Sequence, residues 1–467
     1  MKAKVPKCYS LAIQASTTRR FDPKLYLNDQ SIPFIGNRTI KFLGGPIRVP
    51  MTNQDHKQHL KEKLTQLLNK VDQVPVTRKQ KLLLYKAGIC PRLNWDLSIL
   101  ELPISWVHST LEATATRFLK KWSSLAKSAD PARLYLPKGD GGLALPPISL
   151  LYKKLKVSQA TLMLTSRDPV TQLVVGRELK KEEGQQRMKF HPVQLTRDVM
   201  ARNPGMSKRA LMTRTKAELA EEDAITRREH TESLPRQGQL MRTIPDHDPA
   251  AEIWATAVSN LPSESLKFAM NAATDTLPHN ANLALWRPVD GISGKCKLCG
   301  NTQTLVHVLN DCPVALQLRR YNFRHDAILK KIASFAKSHL PNTHKMIADL
   351  PGTSYLYPPH IGTTDLRPDL LLWSDEVREI NLIELTVCFE TSFDKAIQRK
   401  TNRYTDLRDE ATRNGYQANI LPIEVGSRGM VHVQGCDNFA KKLKEVGEKR
   451  VESLPRRPCT DCYCRIT

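Results

Sequence analysis

TTDLRPDLLLWSDEVREINLIELTVCFE, residues 363–390, holds two apolar runs, 370–373 and 380–387, separated by the turn-like Ser374-Asp375-Glu376. Apolar runs of this length bounded by turn residues predict a β-hairpin with buried faces. Asp369 stands at the start of the first strand, and Glu384 is embedded in the second between Ile383 and Leu385. A carboxylate inside an apolar strand is costly unless it is paired or bound to a metal. Two carboxylates on adjacent strands repel one another, and a divalent cation relieves that repulsion while activating water. Asp369 and Glu384 are therefore the candidate magnesium ligands, in an arrangement suited to phosphodiester cleavage.

Working outward, DKAIQRKTNRYTDLRDEAT (394–412) reads as a basic helix carrying Lys395, Arg399, Lys400, Arg403 and Tyr404. A lysine or arginine aimed at a scissile phosphate stabilises its charge, and further bases track the backbone. ANILPIEVGSRGMV (418–431) supplies another strand. The order strand–strand–helix–strand suits a small α/β core.

Upstream, Cys296, Cys299, His307 and Cys312 are spaced C-x2-C-x7-H-x4-C. A C-x2-C turn presents two sulfurs to one ion, and zinc prefers four tetrahedral thiolate and imidazole ligands. Four protein ligands close the coordination shell, so this zinc is expected to be structural. Cys459, Cys462 and Cys464 lack an evident fourth ligand and read as a reducible tail. Arg324-His325-Asp326, in the helix expected after the zinc motif, is read as capping, pairing or touching phosphate. Trp286 and Trp373 are read as core.

The chain has 467 residues, and Lys+Arg outnumber Asp+Glu by 71 to 47, a net charge of +24. That balance favours a polyanionic partner, nucleic acid ahead of an anionic membrane surface. There is no apolar stretch of about 18 residues, so no transmembrane helix and no membrane partner are expected. MKAKVPKCYSLAIQ at the N-terminus has too short an apolar run for a secretory signal. Ten cysteines in such a chain read as thiols and metal ligands rather than a disulfide framework. A nuclear location follows from the expected substrate, without a localisation cluster to mark it.

The expected architecture is multidomain, mainly α-helical over the N-terminal two thirds with a short β portion, and α/β at the C-terminus. Residues 1–75 alternate short extended runs with turns before a helix over 56–70. Residues 76–170 are mainly helical, with Leu82, Leu83, Tyr85 and Ile89 on one face and Leu111, Ala115, Phe118 and Trp122 on another. Residues 171–290 start with a charged stretch, 177–236, helical or partly disordered, and then condense into an apolar helical segment. The zinc motif occupies 291–335 and the α/β core 336–467.

The hairpin and helix resemble the PD-(D/E)xK restriction-like nuclease superfamily. Pro368-Asp369 match its PD, and Glu384 matches its second acid with fourteen residues between the two. The sequence departs from the pattern at Thr386, where the superfamily has its lysine. In the retrotransposon branch that lysine is displaced to the following helix, in a K-x-x-K/R-Y context matched by Lys400, Arg403 and Tyr404. The resemblance thus gives the catalytic role to Asp369, Glu384 and Lys400, with Lys395 as the substitute lysine.

The order of parts along the chain resembles the C-terminal half of non-LTR retrotransposon polyproteins. KVPKCYSL, DPKLYLNDQSIPFI and Lys41-Phe42-Leu43-Gly44 are similar to the end of a reverse transcriptase palm and its primer grip. RKQKLLLYKAGICPRLNWDL through LPKGDGGLALPPI resembles a thumb, and LKFAMNAATDTLPHNANLALW with RRYNFRHDAILKKI resembles the linker and zinc knuckle. The resemblance implies a magnesium-dependent DNA endonuclease that nicks target DNA to prime reverse transcription, with element RNA or an RNA–DNA duplex as a further partner. No Asp-Asp pair occurs in the chain, so polymerase activity is not expected from it alone. The alternative is a catalytically inactive nucleic-acid-binding fragment or domesticated remnant. Oligomeric state is not legible from the sequence.

Overall fold

The computed structural model describes residues 8–14, 20–36, 38, 40–42, 45–47, 52–184, 190–244 and 248–446. Leu43, Gly44, most of KVPKC and the three C-terminal cysteines lie outside the described residues. The chain divides into two compact units: Met1–Val74, Leu84–Ala115 and Pro147–Leu219 in one, and Pro75–Leu83, Thr116–Pro146 and Ala220–Thr467 in the other.

In the first unit the N-terminal extended runs form short antiparallel pairs, Ala12–Ile13 with Arg20–Phe21 and Ile40–Phe42 with Gly45–Ile47. Helix α1 (Asn53–Gln73) starts at Thr52. The Asp55 amide donates to Thr52 Oγ1 at 3.2 Å and the Thr52 amide donates to Asp55 Oδ2 at 2.9 Å, a reciprocal cap that satisfies two otherwise orphaned donors. Its spacing of four places Leu60, Leu64 and Leu68 in the core. Tyr85 and Ile89 are buried in a π-helical turn and Leu93 and Leu97 continue their stripe on α2 (Cys90–Ile99). Leu83 departs from expectation at 60% exposed, because two residues of helix carry it well off the Tyr85 stripe.

Across the middle of the chain, α3 (Ala113–Ser123) extends the turn bearing Leu111. Leu111, Ala115 and Trp122 are buried, and the Phe118 ring lies 5.8 Å from that of Trp122. The charged stretch is helical where described: Pro169–Gly184, Pro192–Arg202 and Lys208–Ser233.

The C-terminal part of the second unit holds a mixed four-stranded sheet. Its strands are β1 (Lys345–Ala348), β2 (Leu370–Ser374), β3 (Glu379–Cys388) and β4 (Gln417–Gly426), in the order β4-β3-β2-β1. β2 runs antiparallel to both β1 and β3, and β4 lies parallel to β3. A parallel pair needs a crossover, and here it contains α4 (Phe393–Arg413). Leu371, Trp373, Ile380 and Leu382 pack on Tyr404, Leu407 and Ala411 of that helix. The chain is thus mainly helical before the sheet and α/β at its end. Among the described residues no helix is long and apolar enough to cross a membrane.

Candidate functional site

The Cys/His motif folds as a compact turn. The Cys296 amide donates to the Asn301 carbonyl at 2.7 Å, and the Gly300 amide donates back to the Cys296 carbonyl at 2.9 Å. Gly300 has φ +77°, a left-handed conformation that glycine adopts without a Cβ clash. The ligand atoms of Cys296, Cys299, His307 and Cys312 lie within 4.8 Å of one another, and Cys299 Sγ is 3.3 Å from His307 Nε2. Amides of Leu298 and Cys299, with His307, pull the Cys296 thiol down to about 6. Three sulfurs and one imidazole converging in this way can hold a metal ion such as zinc.

This turn is fastened to the sheet. Leu305 and Leu309 form an apolar cluster with Phe389, and Asn310 Nδ2 donates to the Val387 carbonyl at the end of β3 at 3.2 Å. Tyr321 donates to the carbonyls of His307 at 3.2 Å and Val308 at 3.1 Å. It is the N-cap of α5 (Asn322–His339).

Asp369, Glu384 and Lys400 meet at one place. The hairpin register pairs Leu370 with Ile383, which brings Asp369 beside Glu384. The Asp369 amide donates to Glu384 Oε2 at 3.1 Å, and the Leu385 amide donates to Asp369 Oδ2 at 2.8 Å. Lys400 Nζ is ion-paired with Glu384 Oε1. The Glu384 side chain is 3% exposed. Burial and the Asp369 charge push its carboxyl above the usual range, and Lys400 pulls it part of the way back. Burial and Glu384 likewise hold the Tyr404 hydroxyl far above its ordinary value. These carboxylates are hard oxygen donors of the kind magnesium takes, and a buried, raised carboxyl beside a second acid is a site where a cation relieves a standing electrostatic penalty.

Helical periodicity explains which lysine arrives. Ala396, Tyr404, Leu407 and Ala411 are the buried residues of α4, and Lys400 lies on that stripe midway between Ala396 and Tyr404. Lys395 falls off the stripe and is exposed. Thr386 is buried on β3, and its hydroxyl has no hydrogen-bond partner. Trp373 is core, whereas Trp286 is 38% exposed; its seven-residue helix, Asn280–Trp286, buries Asn282 instead.

His325, expected to cap, to pair within its helix or to touch phosphate, does pair with Asp326 in the helix and also reaches the carboxylates. Its Nε2 lies 3.4 Å from Asp369 Oδ1 and its Nδ1 lies 3.1 Å from Asp326 Oδ1. Burial lowers the imidazolium's pKa, but Asp369 and then Asp326 outweigh it and raise it to about 9. Its place on the same helix face as Ile328 and Leu329 was the available signal, since that face packs on the sheet.

No known family and no curated protein matches this chain.

Proposed function

We propose that the C-terminal α/β region is a magnesium-dependent DNA endonuclease of the restriction-like type, carried by a retrotransposon-type polypeptide in which its nick primes reverse transcription. The observation that supports this reading is the meeting of Asp369, Glu384 and Lys400. Their assignment rests on one hairpin and one displaced lysine, and the hydrogen bonds joining Asp369 to Glu384 and Leu385 fix the carboxylates relative to each other.

Asp369 and Glu384 would hold the cation through carboxylate oxygens. Magnesium, when bound, supplies positive charge against the developing phosphorane and acidifies water. Lys400, anchored by Glu384, presents its remaining N–H groups to a phosphate oxygen and stabilises the charge that builds there. The buried β-sheet face behind them keeps bulk water from screening that interaction. The Cys/His cluster would hold a structural zinc, and Arg399 and Arg403 would track the nucleic-acid backbone. The partners in this reading are target DNA and element RNA, and the compartment is the nucleus.

The test is nicking of supercoiled plasmid in magnesium by the parent and by Asp369→Ala, with EDTA as a control. Nicking by the parent alone, abolished by both controls, supports the reading. Binding without nicking, equal in parent and variant, leaves a nucleic-acid-binding module as the better account.

A further inference from the structure

The carboxylate site receives a side chain from the segment that follows the metal-binding turn. Tyr321, hydrogen-bonded to the His307 and Val308 carbonyls, stands immediately before α5. The Arg324 guanidinium lies 4.9 Å from the Tyr321 ring centroid, which packs the first turn of α5 against that tyrosine. His325 is the next residue. Its Nε2 faces Asp369 Oδ1 at 3.4 Å while Asp326 Oδ1 stands 3.1 Å from Nδ1. The opposite oxygen of Asp369 is held by the Leu385 amide. Asp369 therefore accepts from the Leu385 amide of β3 on one oxygen and faces the His325 imidazole of α5 on the other.

We propose that His325 is a positioning residue for the cation site, its Nε2–H orienting the Asp369 carboxylate so that the free lone pairs of Asp369 converge with Glu384. Ligating carboxylates are themselves oriented by hydrogen bonds, and loss of such a partner weakens metal binding about 10- to 100-fold. The 3.4 Å separation is long for a hydrogen bond and within reach of an ion pair. The inference rests on the cation-holding part of the proposed function and extends it to a residue outside the sheet and its crossover helix.

The experiment is direct manganese binding, followed by electron paramagnetic resonance, on the full chain and on His325→Ala, His325→Gln and Asp369→Asn. Zinc content is measured in parallel as a check on the fold. Gln places an amide N–H near the Nε2 position and keeps the donor. The expected result is an Asp369-dependent manganese site that weakens about tenfold or more in His325→Ala and recovers to within about threefold in His325→Gln, with zinc unchanged. Equal binding by the parent and His325→Ala overturns the proposal, as does a His325→Gln no better than His325→Ala. Absence of an Asp369-dependent site overturns it together with the magnesium assignment. A parent that shows the full binding pattern but never nicks DNA removes the nuclease reading and leaves the positioning role standing.

Discussion

Lys400 is ion-paired with Glu384 from a helix position on the buried stripe that carries Tyr404, Leu407 and Ala411 onto the sheet. A lysine on an inward-facing stripe is desolvated unless it meets an anion. Glu384 needs a cation for the same reason. Each residue accounts for the presence of the other.

Lys400→Ala is expected to lower plasmid nicking about 100-fold or more, the scale seen when one preorganised charge stabiliser is removed. Lys395→Ala, on the exposed side of the helix, should stay within about threefold of the parent. Reversal of that order in a nicking time course would move the role to Lys395.

Replacing Cys312 by Ser should release the metal and destabilise the turn around it. Elemental analysis is expected to read about one zinc per chain in the parent and near none in the variant. Because Leu305 and Leu309 pack on Phe389, the thermal midpoint should fall with zinc loss. Retention of a full equivalent of zinc by the variant would reject this ligand set.

Arg428 Nε and Glu390 Oε2 are 2.7 Å apart with side chains 1% and 2% exposed. The Trp254 indole N–H donates to the Arg428 carbonyl at 3.0 Å, and the fully buried Arg133 guanidinium lies over the Trp254 ring at 5.2 Å. Burial, then the nearby Arg428, pulls the Arg133 pKa down to about 9. Glu390→Gln would leave the Arg428 guanidinium buried without its carboxylate, at a cost of about 3–5 kcal/mol in urea unfolding. A loss under about 1 kcal/mol would mean that water reaches the cluster.

Asp375, in the hairpin turn, accepts from Lys345 Nζ at 2.9 Å and from the Tyr416 hydroxyl at 2.9 Å, with His360 Nε2 at 2.8 Å. Lys345 and then His360 hold its carboxyl well below the usual range, with Tyr416 adding to them against burial. A depressed folded pKa gives stability that is present above the ordinary aspartate value of 3.8 and is lost as pH falls through the folded value. Asp375→Asn should therefore cost about 1 kcal/mol near neutral pH, since its charged partners Lys345 and His360 are largely exposed and screened. The difference should close in acid. A gap that stays constant down to about pH 3 would assign the effect to packing instead of charge.

Much of the C-terminal arrangement was legible because its signals are local. The two apolar runs and the turn at Ser374-Asp375-Glu376 fold as the expected hairpin, and C-x2-C spacing placed two sulfurs on one turn. Lys400 was reached through the resemblance's K-x-x-K/R-Y context, with Lys395 as its substitute; helical period explains in the structure why Lys400 is the one that meets Glu384. His325 was harder to place because its contact with Asp369 spans separate elements, and sequence spacing carries no distance between them. Leu83, expected on an apolar face, and Trp286, expected in the core, are exposed for a related reason. A short helix does not disclose which of its sides meets a core until the neighbouring elements are known.

The parallel pairing of β3 with β4 sets Pro422 opposite Glu384 and Glu424 opposite Thr386. Side chains alternate between faces along a strand, so slipping β3 by one residue would send Glu384 to the far side of the sheet, away from Lys400. A residue gained or lost within 379–388 is thus a change of address for the acid, whereas the turn at 375–378 can lengthen without moving it. Drift among sequences built on this plan should accumulate length in the turn and hold the strand to a fixed count.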